Sequence, residues 1–110
     1  MYNPHYKKKD QKYYEELILS CIPKQPSNTT SSVLASYTGL KSRDVRFIIQ
    51  CLRDNGNPIC ATPSKGYWIA QTSFEMNEPI GMLRSHIENC QTTLDRLLEQ
   101  QERLKVKEGI

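Results

Sequence analysis

The sequence predicts an α+β fold: three short helices, a β-hairpin, and one long C-terminal helix. Three observations predict it. Apolar residues recur at helical spacing in three stretches before Asn55-Gly56, a pair that favours a left-handed stop. From Pro58 to Ala70 the periodicity changes to two short apolar, aromatic-rich runs separated by Pro63-Ser64-Lys65-Gly66. From Asn77 onward apolar residues alternate spacings of three and four, with no helix breaker before Gly109. A chain of 110 residues has room for one modest core and one appended element, which excludes a two-lobed enzyme.

Residues 1–9, MYNPHYKKK, are polar, basic and interrupted by Pro4, and read as a flexible N-terminal tail. The Lys7-Lys8-Lys9 run reads either as an arm that follows a nucleic-acid groove or as a solvated charge run. Asp10 offers an N-cap, and Tyr14, Leu17, Ile18 and Cys21 then give a helix face that ends at Pro23. The segment KQPSNTT reads as a loop with a short extended piece at Thr29, before Thr30 or Ser31 caps the second helix.

The stretch TSSVLASYTGLKSRDVRFIIQ, residues 30–50, has the spacing of a helix-turn-helix. Ala35 is small where two helices cross, Gly39 supplies a positive φ in the turn, and Val45 faces back to the preceding helix. Leu34, Leu40, Ile48 and Ile49 complete the apolar side. That leaves Ser42, Arg43, Arg46, Phe47 and Gln50 outward, the face such motifs present to a DNA major groove. Arg and Gln carry paired donors that fit guanine and adenine edges. Phe47 is open to three readings: contact with a thymine methyl, packing under the hairpin, or part of a protein-binding surface. Lys65 at the hairpin tip, with Ser64 beside it, suits a phosphate or minor-groove contact. Of Tyr67 and Trp68, neighbours on one strand, one is expected to face the core.

Three helices followed by a hairpin, with TGLKSRDVRFIIQCLRDNGNPIC and SKGYWIA in that order, resemble a winged helix-turn-helix domain over residues 10–71. The strings are similar to small winged-helix proteins of phages and prophages in Gram-positive bacteria. The resemblance implies a cytoplasmic double-stranded-DNA-binding protein that regulates transcription or replication of a phage or mobile element. Winged helices also serve as docking modules, so the alternative is an adaptor that binds a host or phage replication or transcription protein without reading DNA. Two features depart from the usual pattern. Lys41 stands where a Ser or Thr commonly caps the recognition helix, and Asp44 puts a negative charge on or beside its first turn, favourable to the helix dipole and repelled by phosphate.

Residues 77–108 form the expected oligomerisation helix, with Asn77 as N-cap and Ile80, Leu83, Ile87, Cys90, Leu94, Leu97, Gln101 and Leu104 as a coiled-coil seam. About 28 helical residues reach roughly 42 Å and need a partner. The flanking positions lack opposite-charge pairs and Leu98 widens the stripe. Folding back on the domain, antiparallel pairing and a larger bundle therefore stand beside the favoured homodimer, which would set the spacing of two half-sites.

Charge divides unevenly: residues 1–70 hold ten Lys/Arg against five Asp/Glu, and residues 71–110 five against seven. The basic part is also the part with the motif. No apolar run is long enough for a membrane span or placed for a signal peptide. Cys21, Cys51, Cys60 and Cys90 show no C-x-x-C spacing and read as buried, reduced thiols; His86 and Cys90, one helical turn apart, would supply only half a metal site across a dimer. No catalytic constellation assembles and no cofactor or metal is expected.

Overall fold

In a computed structural model, which describes residues 2–109, the chain forms two compact units, the first ending at Met76 and the second beginning at Asn77. The first unit carries α1 (Gln11–Cys21), α2 (Ser31–Thr38), α3 (Ser42–Asp54), β1 (Ile59–Thr62) and β2 (Gly66–Ile69). The second is a single helix, α4 (Asn77–Glu108).

The helices begin and end where local chemistry dictates. A 3-10 turn over Lys8–Asp10 leads into α1, and Asp10 precedes that helix without a side-chain capping bond. The Thr30 hydroxyl accepts from the Val33 amide at 3.2 Å, which satisfies one of the free donors at the start of α2. Gly39 ends α2 at φ 78°, and a Cβ there would meet nothing within 4 Å. The glycine is therefore required by backbone conformation alone, and not by a close helix crossing. Gly56, at φ 96°, turns the chain out of α3.

Ile18, Ile22, Leu34, Val45, Ile48, Ile49, Leu52 and Ile59 form the core between α1, α2, α3 and β1. The hairpin pairs Ile59 with Ile69, Cys60 with Trp68, Ala61 with Tyr67 and Thr62 with Gly66. Because side chains alternate along a strand, Tyr67 and Ile69 pack on the helical core with Ile59. Trp68 lies on the other face and is nevertheless buried.

Trp68 shares that face with Cys60, and Glu75 lies close to both. The Glu75 carboxylate accepts from the Gln71 and Thr72 amides at 2.8 and 2.7 Å, and these bonds hold it below the usual carboxylate range against the opposing effect of burial. Burial first, and then the Glu75 charge, push the Cys60 thiol up. The first unit thus extends past residue 71, to which the sequence limits it, and ends at Met76, with Glu75 next to the hairpin.

The outer edge of β2 is covered by the α1–α2 loop. Ile69 donates to the Pro23 carbonyl at 2.8 Å and Tyr67 to that of Thr29 at 2.7 Å, while the Asn28 amide donates to Lys65 at 3.1 Å. Thr29 and Gly66 form an isolated parallel bridge, which is the extended piece expected at Thr29. Gly66 has φ 72°, and a Cβ there would lie 2.6 Å from the Thr29 backbone. Only glycine fits that approach.

The N-terminal segment departs from the flexible tail predicted for residues 1–9. Met1 lies outside the described residues, but Tyr2 stacks on Phe47 with ring centroids 4.9 Å apart, and Tyr6 stacks on Tyr14 at 5.1 Å. The Tyr6 hydroxyl donates to the Gln11 side chain. The segment holds because its aromatics have α1 and α3 surfaces to cover; the polar composition that suggested a tail resides in Asn3 and Lys7–Lys9, which remain exposed.

Helix α4 spans 32 residues, about 48 Å at the usual rise. None of its residues is buried within its own unit. No helix among the described residues is long and apolar enough to cross a membrane.

Candidate nucleic-acid interface

Helix α3 divides into two faces. Val45, Ile48, Ile49 and Leu52 point into the core and are at most 4% exposed, while Arg43, Arg46 and Gln50 form an exposed row with Ser42 half-buried at its start. The row follows from helical geometry, since positions 43, 46 and 50 fall on one side of a 3.6-residue turn. The Arg46 guanidinium reaches the Ser31 hydroxyl at 3.5 Å, linking the row to the start of α2. Gln50 donates to Asp54 at 3.0 Å, an exposed bond that a base edge can replace.

Phe47 and Asp44, which the sequence places on or beside the outward face, are instead covered. Tyr2 lies over the Phe47 ring, which is half-buried and packs against the core. Asp44 is 1% exposed. Its carboxylate accepts from the Tyr2 hydroxyl and from the His5 amide at 3.3 Å, and His5 Nδ1 lies 3.4 Å away. Burial alone would raise the Asp44 carboxyl, but the hydrogen bonds from Tyr2 and His5 outweigh it and hold the group below the ordinary carboxylate value.

Tyr6 responds to the same anionic surroundings. Burial first, with Cys51, Asp44 and Glu15 adding to it, pushes its phenol up to about 12. A cavity of about 680 Å³ opens between this segment and the neighbouring faces of α1 and α3, lined among others by Tyr2, Tyr6, Gln11, Phe47 and Cys51. Burial, followed by the nearby Glu15 and Asp54 charges, raises the Cys51 thiol and disfavours a reactive thiolate.

On the hairpin, Ser64 is exposed and Lys65 half-buried, in the three-residue connection between Thr62 and Gly66. The Lys65 amide donates to the Thr62 hydroxyl at 3.1 Å, which fixes the turn. Lys65 and Arg43 thus lie on separate elements of one unit.

On α4 the seam residues Ile80, Leu83, Ile87, Cys90, Leu94, Leu97 and Leu104 are all exposed, from 40% at Ile80 to 60% at Leu83 among the large apolar ones. Of the four cysteines only Cys60 is buried; Cys21 and Cys51 are half-buried and Cys90 is exposed. The expectation of burial fails for Cys90 because nothing in its own unit covers the seam. Its Sγ lies 3.7 Å from His86 Nε2. Among the described residues no three potential metal ligands come together.

Sequence reasoning missed Tyr2 and His5. The usable signal was two tyrosines four residues apart in a segment otherwise read as solvated. No protein-family profile matches the chain, and no curated protein or solved structure matches it.

Proposed function

We propose that this is a winged-helix protein that binds double-stranded DNA as a homodimer, with α3 as its recognition helix, and that it regulates transcription or replication of a phage or mobile element. The observation that carries this reading is the exposed Arg43, Arg46 and Gln50 row on a helix whose other side is the core. Arg pairs bidentately with guanine and with phosphate, and Gln with adenine, so the row has the donors that a major groove accepts. The helix order, the hairpin and the Thr29–Gly66 bridge support the winged arrangement. Ser64 and Lys65 are assigned to the DNA backbone, Ser42 to the start of the recognition helix, and Phe47 to its covered flank.

The exposed stripe on α4 supports association with a second copy. Joining two DNA-binding units raises avidity without adding a contact to either. The adaptor reading drew on Asp44 and Phe47 as protein-facing groups; Asp44 is buried and Phe47 is half-buried beneath Tyr2, so the α4 stripe is its stronger support. The reading assigns no catalytic role and requires no cofactor.

A mobility-shift assay with DNA flanking the coding region, at two salt concentrations, tests the proposal. Binding should weaken steeply with salt because cationic side chains displace counterions. Arg43→Ala/Arg46→Ala should weaken it strongly with little change in the thermal transition. A double variant that binds as well as the parent removes α3 from the interface, and a folded parent that binds no duplex favours the adaptor.

A further inference from the structure

Asp44 lies in the first turn of α3, between Arg43 and Arg46 in sequence, where a solvated carboxylate would repel phosphate. Its presence there has a local cause. Lys41 provides α3 with no side-chain cap, and an acidic group in the first turn stabilises the positive end of the helix dipole. The helix thus gains from the same charge that a duplex would oppose.

The N-terminal segment reconciles the two. Tyr2 and His5 surround the carboxylate with donors, and the Tyr2 ring covers Phe47. Arg43, Arg46 and Gln50 stay exposed. The segment therefore covers the anion and the ring and leaves uncovered the side chains that suit a duplex. An obstructing arm would lie over the arginines instead.

We propose that residues 2–6 are a built part of the duplex-binding surface, with Tyr2 as a positioning residue that keeps the Asp44 carboxylate out of contact with phosphate. This rests on the DNA-binding reading of α3. Lys7–Lys9 follow directly from the anchored stretch and are exposed, so the anchoring also fixes where that cationic run begins.

The experiment measures binding of the full chain to a mixed-sequence duplex at low salt, for the parent, Tyr2→Ala, Tyr2→Phe, Asp44→Asn, and the double variants Tyr2→Ala/Asp44→Asn and Tyr2→Phe/Asp44→Asn, each checked for helical signal and melting. Tyr2→Ala should weaken binding on the order of fivefold, the effect of one unit charge about 4 Å from another in water. Adding Asp44→Asn should restore most of that affinity. A merely structural role for Tyr2 predicts that Asp44→Asn changes binding by the same factor in the parent and in Tyr2→Ala, whereas shielding predicts a larger gain in Tyr2→Ala.

Parental or tighter binding by Tyr2→Ala, or a double variant no better than the single, overturns the proposal. If Tyr2→Ala loses its helical signal, Tyr2→Phe, which keeps the ring on Phe47 and removes only the donor, is judged by the same outcomes with and without Asp44→Asn. A folded parent that binds no duplex overturns the DNA-binding reading and this inference with it, whereas a binding parent with unaffected Tyr2 variants overturns this inference alone.

Discussion

Helices α3 and α4 carry apolar residues at the same alternation of three and four, yet Val45, Ile48, Ile49 and Leu52 are at most 4% exposed, whereas Leu83, Ile87 and Leu97 are 58–60% exposed. The difference lies in what each helix has to pack against. Helix α3 sits among α1, α2 and β1 of its own unit, while α4 is a unit by itself. Periodicity reports which side of a helix is apolar, and says nothing of what covers it.

The sharpest way to break this comparison is to charge the α4 stripe. Replacing both Leu94 and Leu97 with Asp should dissociate the proposed dimer in sedimentation equilibrium and reduce helical signal, since each leucine buried by pairing would contribute about 1.5–3 kcal/mol. A parent chain that is already monomeric at high micromolar concentration would mean that α4 does not pair with a second copy.

Ile48→Ala is the counterpart on α3. It should lower stability by about 2–5 kcal/mol through loss of contacts and a cavity, and leave the subunit number unchanged. Thermal melting combined with sedimentation separates the two effects. If Ile48→Ala dissociates the protein, the two stripes are not independent.

Within the first unit, two glycines of positive φ should differ in sensitivity. Gly66→Ala should cost about 3 kcal/mol, because it adds a clash with the Thr29 backbone to an unfavourable φ. Gly39→Ala faces open space and should cost about 1 kcal/mol. Denaturant melts of the pair measure the gap, and equal losses would place no weight on the Thr29 contact.

The smallest effect is a pH dependence. Asp44 is held below its ordinary value in the folded chain, so its contribution is present above the unfolded carboxylate range and lost as pH falls through the folded value. Asp44→Asn should therefore be less stable than the parent at neutral pH by about 1 kcal/mol. The difference should close in acid. A gap independent of pH would show that the carboxylate charge is not what the Tyr2 and His5 bonds stabilise.

Much of the first unit was legible because its signals are local. Gly39 and Gly56 mark left-handed stops, Thr30 caps a helix, and the alternation around Pro63–Gly66 marks a hairpin. Arg43, Arg46 and Gln50 were legible for the same reason, since helix geometry alone turns them away from Val45 and Ile48. Asp44 was not, because its burial depends on Tyr2 and His5, about forty residues away in sequence. Nor was the placement of Trp68, which is buried on the hairpin face opposite Tyr67 and Ile69, with Glu75 of the following segment beside it.

The sequence by itself determined the order of elements, the apolar side of each helix, the turn glycines and the row of polar side chains on α3, all of which follow from spacing and backbone preference within a few residues. Tertiary structure alone decided that the N-terminal segment folds onto α3, that Asp44 is withdrawn from solvent, and that Gly66 must admit the Thr29 backbone. Those outcomes depend on contacts between distant segments, whose free energy is set by the surfaces that meet and is not encoded in the periodicity of either one.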